Sequence, residues 1–145
     1  MRIAKSLLLL LALAFSGLSF AAETKSATVY KSPTCGCCKD YVAYLEKNGF
    51  KVSAVNEENM DPVKARYGVS RGMSSCHTAI VGDYVVEGHV PVTAIGKLLA
   101  NKPKIHGIAL PGMPQNSPGM GEMKSGTLTV YELTVAGTPK VFSVE

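Results

Sequence analysis

The sequence predicts an α/β fold in which a mixed central sheet is flanked by helices, and three observations lead there. A short β-prone run, "ATVYKS" (27–32), enters a cysteine-rich turn and then an amphipathic helix over about 37–48. A second alternating run, "FKVSAV" (50–55), follows that helix directly. This β-α-β unit calls for two neighbouring parallel strands joined by a right-handed crossover. A hairpin and a further helix come next, so the element order is β-α-β-(α)-β-β-α, the pattern of one sheet with helices on its faces.

The chain opens with Arg2 and Lys5, then an apolar run from Leu7 to Phe15, then Ser19-Phe20-Ala21, which suits cleavage before Ala22. Residues 1–21 therefore read as a secretory signal peptide, too short and wrongly flanked for a membrane span. Setting aside Arg2 and Lys5, 13 of the 15 cationic side chains remain against 11 acidic ones. No basic cluster survives to suggest nucleic acid as a partner. A chain of this length builds a core without disulfides. Its four cysteines, exported to an oxidising compartment, need another purpose.

In the first helix Cys38, Tyr41, Val42 and Leu45 share one face, so Cys38 should point inward, and Asn48-Gly49 is a helix stop. "MDPVKARY" (60–67) reads as a short helix with Asp61 capping and Pro62 at its first position. "GVSRGMSSC" is loop, and "HTAIVGDYVVEGHV" is a hairpin turning at Gly82-Asp83. Pro91 opens a helix with Val92, Ile95, Leu98 and Leu99 on its apolar face, ending near Asn101. The composition then shifts. Residues 106–124 hold four glycines and three prolines without usable periodicity, and 127–144 read as a terminal β-hairpin around Gly137. The expected organisation is a signal peptide (1–21), an α/β domain (22–102), and a Gly/Pro/Met-rich extension with terminal strands (103–145).

The chemistry concentrates in "SPTCGCCK" (32–39). Cys35 precedes the helix and Cys38 lies in its first turn, where unpaired N–H groups and the helix dipole stabilise thiolates. Cys35 and Cys38 alone make a CxxC pair; Cys37, about 100° further round, points to the side. Three converging thiolates repel unless a cation neutralises them, which favours a soft metal; the alternative is a disulfide with a spare thiol. Cys76 supplies a fourth sulfur if its loop abuts the turn. Its neighbour His77 points to the opposite face in extended chain, which leaves open whether the two reach one ion together. His89 reads equally as an imidazole ligand or a residue of the helix entry, and His106 is open in the same way. Met113, Met120 and Met123 lie where no regular face would bury them, and thioethers suit Cu(I). Met60 and Met73 read as packing residues.

The element order, with cysteines at the first strand-to-helix turn, resembles the thioredoxin-like arrangement in topology and motif position. It departs from it at "GMSSCHTA", where Cys76-His77 stand in the loop that normally carries a cis-proline, which speaks against ordinary disulfide exchange. More specifically, "VYKSPTCGCCKDYVAYLEKNGFKV", "SCHTAIVGDYVVEGHVP" and "GIALPGMPQNSPGM" together resemble the CopG-type proteins of bacterial copper-resistance clusters, over about residues 27–124. The resemblance implies a periplasmic, monomeric protein: a thioredoxin-like domain with a metal-binding C-terminal extension. It further implies a multinuclear copper cluster bridged by cysteine sulfurs, interconversion of Cu(I) and Cu(II), and service to a copper efflux system. Carried over, the CxCC cysteines are Cys35, Cys37 and Cys38, and the SCH pair is Cys76 and His77. His106, Met113 and Met120 are candidates in the extension, and His89 completes the candidate set. The rival functions are a metal-free thiol–disulfide oxidoreductase using Cys35 and Cys38, and a Cu(I) chaperone or store without redox change. A structural zinc site is remoter, since it leaves the methionines unused.

Overall fold

The computed structural model describes residues 25–134 and 138–145. The expected signal peptide and the turn at Gly137 lie outside the described residues. The chain forms β1 (Lys25–Lys31), α1 (Gly36–Lys47), β2 (Phe50–Asn56), α2 (Asp61–Arg66), β3 (His77–Val81), β4 (Tyr84–Glu87), α3 (Val92–Asn101), β5 (Gly107–Ala109), β6 (Thr129–Glu132) and β7 (Val141–Val144). The seven strands make one mixed sheet in the order β2-β1-β3-β4-β5-β6-β7. β1 and β2 are parallel neighbours across α1, as the β-α-β reading requires. β3 runs antiparallel to both β1 and β4, and β4 pairs in parallel with β5 across α3. The chain thus makes two β-α-β crossovers on either side of one reversed strand.

Strand alternation sorts the side chains into two layers. On one face Ala27, Val29, Ala79, Val81, Val86 and Ile108 pack against Tyr41 and Leu45 of α1 and Ile95 and Leu98 of α3. On the other, Val85 and Ala109 join Met73 and Leu133, with Tyr67 and Ile80 packed on them. Tyr41 is the hinge of the first layer: it is fully buried, and its hydroxyl donates to the Val90 carbonyl at 2.8 Å. Tyr41→Phe keeps the ring and leaves that carbonyl unpaired, so it should lower the unfolding free energy by about 1 kcal/mol in urea titration. An unchanged midpoint would show that the hydroxyl contributes nothing there.

Three local readings are adjusted. Asp61 lies inside α2 and caps nothing; Met60 holds the cap position, and the Asn59 side chain accepts the Asp61 N–H at 3.0 Å. Asn59 and the Asp61 N–H make an Asx turn that leads into the helix, which the Asp-Pro pattern alone conceals. Residues 71–73 form a single 3₁₀ turn inside the stretch expected as loop. Finally, β5 is a strand of three residues, buried on both faces, within a stretch too short to show any period. It carries the sheet onward to β6 and β7, which form the antiparallel terminal pair.

Candidate metal centre

The centre begins at the loop between β1 and α1. Cys35 is the N-cap of α1, with extended backbone, and its sulfur accepts the Cys38 N–H at 3.4 Å. The sulfurs of Cys35 and Cys38 are bonded as a disulfide, their Cα atoms 5.3 Å apart. Cys37 is a free, half-buried thiol whose sulfur lies 3.4 Å from that of Cys35. Cys38 is fully buried on the face of Tyr41 and Leu45, as its helical position predicts.

Cys76 closes the site from the loop before β3. The sulfurs of Cys35, Cys37, Cys38 and Cys76 all lie within 4.8 Å of one another. A second set at the same mutual distances contains Cys38, Cys76, His77 and His89. Cys38 and Cys76 belong to both, so the two sets are one continuous patch of four sulfurs and two imidazoles. Cys76 and His77 both reach it. The alternation that should separate them holds only within a strand, and Cys76 precedes the first residue of β3.

The histidines are arranged as lone-pair donors. His89 is fully buried, its Nδ1–H donating to the Pro118 carbonyl at 2.6 Å, which leaves Nε2 unprotonated 2.9 Å from the Cys76 sulfur. A backbone partner on one ring nitrogen is the usual way a protein fixes the other for metal. His77, also fully buried, has Nδ1 3.5 Å from the Cys76 sulfur, while its Nε2 has no hydrogen-bond partner. Tyr41 packs against both rings, at centroid distances of 4.5 and 5.2 Å.

Burial, aided by the charge of Cys37, pushes the Cys76 thiol up to about 12. Burial also holds His77 well below its ordinary value, with His89 and Lys64 adding to the effect, and lowers His89. Without metal the patch therefore holds a neutral Cys76 thiol beside two neutral imidazoles, and a bound cation would turn that thiol into a thiolate. The sign for stability follows from the histidines: the unfolded chain takes up protons near the ordinary value of 6.5, and the folded chain does so only at lower pH. Stability of the metal-free protein is thus expected to fall progressively as pH drops below about 6.5. Urea midpoints at pH 7 and pH 5 check this, and His77→Phe should remove part of the slope. A midpoint that does not move would mean that both imidazoles protonate freely in the fold.

The extension covers the nest. Gly119, at φ +78°, lies against α1 so closely that a Cβ there would be 2.8 Å from the Tyr41 nitrogen and 3.0 Å from the Cys37 carbonyl. This contact brings Pro118 over His89. Of the other candidates, His106 belongs to neither donor set. His106 is exposed and its Nε2 donates to the Tyr67 carbonyl at 2.7 Å. Met113 is 52% exposed, Met123 is exposed as well, and Met120 is half-buried. Sequence reasoning missed the Pro118 carbonyl, which no side-chain pattern could mark. It also missed Glu87, whose signal is a lone carboxylate in the apolar run "YVVEGHV".

A mixed sheet with four cysteines and two buried histidines gathered at the ends of its interior strands β1, β3 and β4 defines an α/β protein with a sulfur-rich group able to bind metal. A family model described as "Protein of unknown function, DUF411" matches residues 73–120. Two solved structures, "Copper resistance protein copG- Form 2" and "Form 1", are 40% and 41% identical to the chain. Each covers 85% of it, with 99% and 98% of their own lengths matched and a TM-score of 0.75 for both. The chain belongs to the CopG family of copper resistance proteins. No curated protein sequence matches it. Among the described residues no helix is long and apolar enough to cross a membrane.

Proposed function

We propose that this chain is an exported, periplasmic copper-binding protein on a thioredoxin-like scaffold, holding a thiolate-bridged multinuclear copper centre and cycling it between Cu(I) and Cu(II) in copper resistance. One observation carries the reading: Cys38 and Cys76 are shared by two donor sets, one of sulfur alone and one of sulfur and imidazole. Shared sulfurs suit bridging, which lets few thiolates neutralise several Cu(I) ions. The mixed set suits the harder Cu(II), so the donors span the preferences of both oxidation states. The unpaired, buried Nε2 of His77 fits a metal better than it fits a dry core. The strand order β2-β1-β3-β4 with β3 reversed supports the scaffold.

The test is an anaerobic Cu(I) titration against a competing chelator on fully reduced protein, with Cys37→Ser alongside. More than one tightly held copper per chain is expected, and loss of tight copper in the variant, since Cys37 belongs to the sulfur-only set. A single tight copper, or a variant that titrates like the parent, would sink the multinuclear reading.

The Cys35–Cys38 disulfide favours a second reading, thiol–disulfide exchange. That reaction needs only the disulfide, a substrate dithiol that it oxidises, and the two protons and two electrons that move between them. It should survive loss of both Cys37 and Cys76. Oxidation of a dithiol peptide by the Cys35–Cys38 disulfide, retained in Cys37→Ser/Cys76→Ser without copper, would make this the primary function.

A further inference from the structure

Glu87 ends β4 with no exposed surface at all. A carboxylate taken out of water costs several kcal/mol unless it is fully paired, and an apolar side chain would fill such a strand position without that cost. The pairing is complete. Oε1 accepts from Lys64 Nζ and, at 2.7 Å, from the backbone N–H of Ser75; Oε2 accepts from the Thr78 hydroxyl at 2.6 Å. The donors come from α2, from β3 and from the loop that carries Cys76. Alternation puts Glu87 on the α2 face of the sheet with Val85, whereas the sulfurs and His77 sit on the α1 face. Glu87 therefore bonds to none of the metal donors, and its one hydrogen bond to the loop that carries Cys76 is the one from the Ser75 amide.

The surroundings leave that loop little alternative placement. Gly88, at φ +79°, presses on it: a Cβ there would lie 2.7 Å from the Ser75 Cβ and 2.5 Å from the Leu110 carbonyl. The Ser75 hydroxyl donates to the Gly112 carbonyl, which ties the same loop to the extension. We propose that Glu87 is a positioning residue for the metal centre: its carboxylate, braced by Lys64 and Thr78, holds the Ser75 amide and so fixes where Cys76 presents its sulfur. The consequence for copper rests on the copper-centre reading above; the placement of Cys76 does not.

The experiment separates the two. In reduced, metal-free protein, Cys76 is labelled with a neutral thiol reagent in wild type, Glu87→Leu and Glu87→Gln. Both variants lose the ion pair with Lys64, but only glutamine keeps an oxygen for the Ser75 amide. Glu87→Leu should label Cys76 at least about tenfold faster than wild type, and Glu87→Gln within about threefold of it. A role in stability alone would move both variants together. Labelling of Glu87→Leu at the wild-type rate, or of both variants alike, overturns the proposal. Hydrogen exchange of the Ser75 amide in the wild type makes the test independent of whether the leucine variant folds. It should be slowed at least about a hundredfold relative to an open loop, and exchange at the open rate overturns the proposal equally. Cu(I) competition then reads the consequence: tight binding should weaken at least about tenfold in Glu87→Leu and stay near wild type in Glu87→Gln. If the wild type takes up no tight copper, the function falls and the labelling result still stands.

Discussion

Cys76→Ser should weaken tight copper binding by at least about a hundredfold and leave the remaining metal without its bridging character. Its effect should exceed that of Cys37→Ser, because Cys76 is common to both donor sets and Cys37 belongs to one. Serine keeps the size of the side chain and its hydrogen bond to His89, so the fold should survive. The burial that drives the thiol up to about 12 also means that its proton leaves only when a cation takes its place. A serine hydroxyl holds its proton far more tightly than any thiol and offers a hard oxygen to a soft ion. The measurement is Cu(I) competition together with the sulfur-to-copper charge-transfer absorption. Equal loss in the two serine variants would mean that Cys76 is one sulfur among four, not the joint between two sets.

The second large effect is expected from Gly119→Ala. Alanine at φ +78° is strained, and here its Cβ also meets backbone atoms of α1, which cannot rotate away as a side-chain tip would. Strain of this kind costs about 1–3 kcal/mol, or the extension lifts to escape it. Lifting withdraws the Pro118 carbonyl from His89 Nδ1, the contact that fixes which ring nitrogen faces Cys76. The variant should therefore show a lower urea midpoint and, by nitrogen NMR, a mixture of His89 tautomers where the parent shows one. A single tautomer at unchanged stability would show that the extension does not seat on α1 through this glycine.

The parts of the molecule legible in the sequence are those set by neighbouring residues. The strand, the cysteine turn, the inward aim of Cys38 and the return strand follow from periodicity and helix-end chemistry within some thirty positions. Contacts between distant segments left no such trace. His89 is undecided from sequence because its assignment depends on the Pro118 carbonyl, 29 positions away. Whether Cys76 and His77 reach one patch together is not fixed by strand alternation, because Cys76 precedes the first residue of β3. Glu87 was passed over because its three partners lie at positions 64, 75 and 78, and nothing local distinguishes a buried carboxylate from a solvated one.

The donor groups and their supports are supplied by stretches that the ribosome delivers at widely separated moments: the CxCC turn, then Cys76 to His89, then Pro118. A nascent chain that has passed only the first stretch offers adjacent sulfurs and no imidazole, and one that has passed the second still lacks the carbonyl that sets the His89 tautomer. The full set of candidate donors and supports is therefore complete only once the extension has laid Gly119 on α1. On the proposed copper reading, tight capture is expected only of a chain that includes the extension, and a clipped product should keep the sulfurs with a poorer grip on the ion.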